Sequence, residues 1–258
     1  MLNCRQPGEY REKGAVAIRA APVEDYLPFL REQLAAISQP GRKKRPWLLW
    51  ELHNPWSRSA SVADSWKFLE LCQSETLLSH IAPLMGEDII LFDSQFSPDL
   101  RDAGNSESSW QNDRLRCPAS PLQGLVARIP FACPANESAR FIYQPGPSAQ
   151  QAIEYRDGAV LCHNIDLNYR IVARKKAAQQ PWEYVIRYFP ATSRYLRDPA
   201  TEFHRELTER YPLLNYAKMP LWLVRGDDRG GNDFVTGFQP KAGRWIDRPG
   251  PPAPAESG

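Results

Sequence analysis

Apolar residues recur along this chain with two periods, and the change between them divides it. Val23, Tyr26, Leu27, Leu30, Leu34 and Ile37 fall three or four residues apart, the spacing of one helix face. Helical spacing returns over Val62–Cys72, and again from Ser74, which has the chemistry of an N-cap, to about Met85. Ahead of these, Gly14–Arg19 alternates as a short strand. From Asp88 the texture shortens. Asp88–Phe92, Gly124–Phe131, Ala139–Gln144, Ala159–His163, Leu167–Arg174 and Glu183–Phe189 are short strand-like runs parted by Pro, Gly, Asn and Ser. Asp198-Pro199 opens a last helix through about Tyr211, and Leu221–Arg225 reads as one more strand. Many short strands behind an N-terminal helical part predict a mainly β fold, a sandwich or barrel with flanking helices.

Composition narrows this reading without redirecting it. At 258 residues, 42% of them hydrophobic, the chain can bury a sizeable core. It is expected to form a single domain over residues 1–247, with a Pro-rich disordered tail at 248–258. The 24 prolines suit short strands and turns better than a helical bundle. A net charge of +2 gives no mandate for nucleic acid or an anionic membrane, and the basic run Pro40–Pro46 reads as a solvated loop. No apolar run approaches the ~20 residues that span a bilayer. The opening Met1–Pro7 lacks the order of a signal peptide. A cytoplasmic protein acting on a small molecule is therefore the expectation.

The residue types that carry chemistry are sparse. Cys4, Cys72, Cys117, Cys133 and Cys162 are scattered, with no C-x-x-C pair, so they read as free thiols. The four histidines, His53, His80, His163 and His204, belong to no zinc or triad motif. His163 and Asp166 stand three apart, which on a regular strand sends them to opposite faces. Asp227–Asp233 is acidic but misses the calcium-loop spacing and reads as a solvated turn. Gln111 and Asp113 differ: two residues apart in Trp110-Gln111-Asn112-Asp113, they share a face of an extended segment. Such a pair suits either a hydrogen-bonded strand end or a polar site inside a barrel.

Several segments, in order, resemble the phytanoyl-CoA dioxygenase-like family of iron(II)/2-oxoglutarate oxygenases. Tyr10–Arg19 with the Val23–Leu34 helix is similar to that family's opening, and Leu84–Phe92 to its entry into the barrel. Trp110–Asp113 stands where the family carries Trp-His-x-Asp, and Tyr143–Ser148 resembles its Pro-Gly-Ser-His turn. Asp157–Leu161 and Ile186–Ala191 resemble later barrel strands. The resemblance runs from about Glu9 to Asp198 and implies a double-stranded β-helix, the jelly-roll or cupin-like barrel.

It also implies departures. The first histidine position holds Gln111, Asp113 keeps the carboxylate, the second histidine position holds Asn168, and the oxoglutarate arginine is replaced by Trp182. An all-oxygen set with one charge holds iron(II) weakly. The reading is therefore a member of the family without metal or cofactor. In it Asp113 is the catalytic acid or base, Gln111 and Asn168 orient a substrate, Trp182 stacks on it, and Arg128, Arg140 or Arg170 binds an anionic group. Two alternatives stand beside it: an active oxygenase using iron(II) and 2-oxoglutarate in which His163 supplies the missing imidazole, and a non-catalytic binding protein.

Overall fold

In a computed structural model of the chain, the described residues are 6–18, 23–38, 46–97, 110–131, 139–146, 149–172, 182–210, 212, 216–234, 238–239 and 244–245. The 248–258 tail, most of the basic loop, Cys4 and Cys133 lie outside them. The helices are α1 (Gln6–Lys13), α2 (Leu27–Ile37), α3 (Ser65–Cys72), α4 (Glu75–Met85) and α5 (Glu202–Arg210). The strands are β1 (Ala15–Ile18), β2 (Ile89–Ser97), β3 (Ala119–Ser120), β4 (Leu125–Pro130), β5 (Ala139–Gly146), β6 (Ala149–Tyr155), β7 (Val160–Asn164), β8 (Asn168–Val172), β9 (Glu183–Pro190), β10 (Arg194–Tyr195), β11 (Trp222–Arg225), β12 (Phe238–Gln239) and β13 (Arg244–Trp245).

Helix α1, strand β6 and the two-residue strands β3, β10, β12 and β13 escape the sequence pattern. Helix α1 buries only Tyr10, so it carries no apolar stripe to detect. Strand β6 is the edge of its sheet and its AQQAIEY sequence has little of the alternation that a half-buried strand needs. Ser74 does occupy the N-cap of α4, in extended conformation, but its hydroxyl donates backwards to the Leu71 carbonyl at 2.9 Å. The helix ends at Gly86, whose φ of 109° is open to glycine at little cost.

Two antiparallel sheets face each other in the manner of a double-stranded β-helix. The larger has the order β1-β7-β4-β9-β2-β11 and the smaller β6-β5-β8. The segment at Gln111 extends the smaller sheet through an antiparallel bridge to Tyr169. Alternation along each strand then sorts the side chains. Leu125, Ala127 and Ile129 of β4, Val160 and Cys162 of β7, and Tyr184, Ile186 and Tyr188 of β9 join α2, α3 and α4 in one core outside the barrel. The intervening residues point between the sheets. There Val126, Val185, Phe189, Ile90 and Phe92 form one apolar cluster, and Phe141, Tyr143, Leu161 and Tyr169 another. The middle of the interior is filled by charge.

Candidate functional site

Strand register brings the charged residues together. Asp93 lies directly across from Arg187, Arg187 across from Val126, and Val126 across from His163. Arg128 and Glu183 occupy alternate positions of β4 and β9 on that same inner face. An irregularity between Leu91 and Asp93 lets both Phe92 and Asp93 turn inward, the re-aiming a β-bulge provides. From the opposite side come Tyr169 of β8 and Asp113, whose backbone N–H donates to Ile165 O at 3.1 Å.

Asp113 is the hub. Its Oδ1 accepts from Arg187 Nε at 3.0 Å and from Arg187 Nη2 at 2.5 Å. Its Oδ2 accepts from Arg128 Nη2 and from the Tyr169 hydroxyl, each at 3.0 Å. Arg187 Nη1 reaches on to Asp93 at 2.8 Å, and Arg116 stands 3.8 Å from Asp93 while donating to Gln95 at 2.6 Å. Arg128 Nη1 donates to Glu183 Oε1 at 2.6 Å. The result is an alternating chain, Glu183–Arg128–Asp113–Arg187–Asp93–Arg116, in which three carboxyl groups face three guanidinium groups, all buried. Buried charges persist only when paired and hydrogen-bonded in this way.

Electrostatics follow from the geometry. Burial alone would raise the Asp113 carboxyl, but Arg187, Arg128 and the hydrogen bonds outweigh it and hold the group well below the usual carboxylate range. Glu183, with Arg128 on one oxygen and no hydrogen-bond partner for Oε2 among the described residues, is pushed upward by burial. Arg128 Nε donates to His163 Nε2 at 2.9 Å. A guanidinium only donates, so Nε2 carries the lone pair and Nδ1–H donates to Asn164 O at 2.8 Å. Burial, with Arg128 alongside, lowers this imidazole to about 3 and keeps it neutral.

The residues singled out from sequence divide into two groups. Asp113, Arg128 and His163 meet in the network, and Gln111, half-buried, is bridged to Tyr169 as its direct partner. The others do not join them. Asn168 is exposed and accepts from the Asn112 amide at 3.0 Å; the inward residue of β8 is its neighbour Tyr169, because one step along a strand reverses the face. Arg140 is exposed on the outer face of β5. Arg170 lies outside too, its guanidinium 4.9 Å over the Trp110 ring. Trp182 packs against the core beneath the helices, not into the barrel. Sequence reasoning missed Glu183, Arg187, Asp93 and Tyr169. The signal was there for β9, since EYVIRYF sets Glu183 and Arg187 in phase on one face of an otherwise apolar strand.

These positions do not fit a resident iron centre. Asp113 has both oxygens filled by donors, Asn168 faces solvent, and the guanidinium charges of Arg128 and Arg187 lie against the Asp113 carboxylate. Among the described residues no three His, Cys, Asp or Glu side chains converge as metal ligands. Arg187 does extend inward from β9, but Asp113 and Asp93 occupy it.

A second ionisable spot borders the network. Glu51 has a φ of 51°, in the left-handed region that β-carbons disfavour. The kink is held by Leu52 N and His53 N, which both donate to Ser94. Burial raises the Glu51 carboxyl to about 7, against the opposing Asn54 hydrogen bond and with Asp93 reinforcing it. A raised acid binds its proton in the folded state, so its penalty is absent below the unfolded pKa of about 4.3 and grows as pH rises towards 7. Glu51→Gln is expected to be near neutral in stability at about pH 4 and stabilising by about 1–3 kcal/mol at about pH 8. Urea unfolding at the two pH values checks this; equal effects at both would mean that Glu51 titrates like an exposed carboxylate.

Comparison with solved structures places the fold. CytC3, solved with iron(II) and α-ketoglutarate, aligns with a TM-score of 0.66 at 13% identity, over 96% of this chain and 98% of that one. The non-heme α-ketoglutarate-dependent epimerase SnoN from nogalamycin biosynthesis aligns at 0.57 and 14%, over 78% and 85%. EctD from S. alaskensis, solved with 2-oxoglutarate and 5-hydroxyectoine, aligns at 0.56 and 14%, over 79% and 83%. The chain thus shares the fold of these three proteins. No family model matches the chain, and no curated sequence matches it significantly. Among the described residues no helix is long and apolar enough to cross a membrane.

Proposed function

We propose that this chain is a phytanoyl-CoA dioxygenase-like protein that acts on a small organic molecule without iron or 2-oxoglutarate. The observation that carries this reading is the Asp113 carboxylate: the one metal-binding group retained at the inherited positions is saturated by Arg128, Arg187 and Tyr169. The reaction is then a non-redox step such as an isomerisation, cyclisation or elimination. SnoN, among the similar folds, is an epimerase but an α-ketoglutarate-dependent one, and fold alone never assigns a reaction. Asp113, held ionised, positions the arginines and does not itself exchange protons. Glu51, half ionised near neutrality, has the pKa of an efficient general acid or base. The buried free thiols Cys72, Cys117 and Cys162 suit a cytoplasmic setting.

The test is anaerobic addition of iron(II) and 2-oxoglutarate to the purified protein. The expected result is no metal-to-ligand charge-transfer band, substoichiometric iron by elemental analysis, and a melting temperature unmoved by chelators. A charge-transfer band with stoichiometric iron would overturn the proposal and favour an oxygenase with an unusual ligand set.

A further inference from the structure

Strand β2 has different neighbours along its two edges. One edge pairs with β9 from Ile89 to Ser97. On the other, β11 pairs only with Ile89–Leu91, and the next stretch is taken by the segment 46–62 ahead of α3. Trp50 bridges Gln95, Leu52 N donates to Ser94 O at 3.2 Å, and His53 N donates to Ser94 Oγ at 3.1 Å. Covering an edge in this way keeps its backbone groups from pairing elsewhere. The segment also straddles the sheet. Leu48 and Leu52 are buried in the core beneath the helices, while Trp50 packs against the apolar cluster inside the barrel. Gln95, the partner of Trp50, accepts from Arg116 at 2.6 Å, so the segment lies beside the Asp93–Arg116 end of the charged network.

We infer that residues 46–62 form a strap over this edge of β2, latched by the protonated Glu51 side chain, and that loss of the proton lets the strap lift from Ser94 and Gln95 while the sheets stay folded. The latch sits at the strained point of the strap, where φ is 51°, a conformation kept only while its surroundings hold it. The Glu51 carboxyl accepts from Asn54 Nδ2 at 3.2 Å, and Asn54 N and Ser59 Oγ donate to the Glu51 carbonyl. These bonds stay within the strap and tie no charge to the barrel. The charged groups facing the carboxyl are Asp93 of β2, which repels its anion, and Arg58 of the strap, which favours it. Arg187 and Arg116 are engaged by Asp93. His53, its imidazole lowered to about 4 by burial, adds no positive charge near neutrality. A buried carboxylate without a barrel partner is costly, so ionisation favours the state that returns Glu51 to water. The closed strap therefore binds the proton more tightly than the open one. Opening grows as pH rises from the open-state pKa of about 4.3 to the closed-state value of about 7, then levels off. The strap is independent of the metal-free reading above.

Amide hydrogen exchange of the full chain between about pH 5 and pH 8, corrected for the intrinsic exchange rate at each pH, tests the strap. In the parent, protection of the Leu52 and His53 amides is expected to fall on the order of 10²-fold across that range. The amides of β4 and β9 should keep theirs, which separates lifting of the strap from unfolding of the protein. In Glu51→Gln, which has no proton to lose, protection of Leu52 and His53 should stay level at its low-pH value. A level profile in the parent overturns the latch, and so does a parallel loss in β9, because the strap would then open only with the whole fold. A Glu51→Gln profile that still follows the parent's also overturns it, since another group would then be titrating. The parent's profile decides the matter even if the variant does not fold.

Discussion

Asp113→Ala is expected to destabilise the protein by about 3–5 kcal/mol, the cost of leaving buried guanidinium groups without their carboxylate. Both oxygens of Asp113 are shared between Arg187 and Arg128, and these arginines sit on adjacent strands of the larger sheet. The loss therefore pries at the joint between the two sheets as well as at one ion pair. The pH dependence has a defined sign. Because the folded carboxyl is depressed, its contribution is fully present above the unfolded pKa of about 3.9 and is lost as pH falls below that value. Asp113→Asn should thus trail the parent clearly at about pH 7, and the gap should narrow as both are taken to about pH 3. Urea unfolding across that range reads both effects. A penalty under about 1 kcal/mol at neutrality would mean that the network relaxes around the vacancy and that Asp113 is not its hub.

The second large effect lies on the other side of the sheet. Phe68→Ala is expected to cost about 3–5 kcal/mol through the cavity it leaves. Phe68 of α3 is fully buried, with ring centroids 4.9 Å from Phe29, 5.0 Å from Tyr184 and 5.5 Å from Phe96. It thereby ties α2 and α3 to β2 and β9, the strands that carry Asp93, Glu183 and Arg187. Phe68→Leu, which keeps most of the volume, should cost a fraction of this. A melting temperature for Phe68→Ala within a degree or two of the parent would show that the helical layer repacks freely and does not brace the barrel.

The elements that sequence determined are those whose burial has a period. Helices α2, α3 and α4 and strands β2, β4, β7 and β9 each pack an apolar face against the same core, so their spacing along the chain records that face. The unrecorded elements pack little or are short: α1 buries one side chain, β6 closes an edge, and β3, β10, β12 and β13 have two residues each. The site divides along the same line. Asp113, Arg128 and His163 were legible as chemistry-bearing residues in barrel segments, and the pairing of Gln111 with Asp113 on one face followed from their spacing.

What only the tertiary structure decided is which face and which partner. Asn168 and Tyr169 are neighbours in sequence, and nothing local says which turns inward; the ladder between β5 and β8, which pairs Tyr143 with Tyr169, settles it. Trp182 and Glu183 part in the same manner, one to the helical core and the other to the barrel. The ionisation of Asp113 is likewise a non-local property. Its burial alone argues for a raised pKa, and the reversal comes from Arg128, 15 residues away, and Arg187, 74 residues away. Apolar periodicity is written in the sequence because every residue on a face obeys the same rule. A charge pair between distant strands is not, because it depends on a register that only the assembled sheets fix.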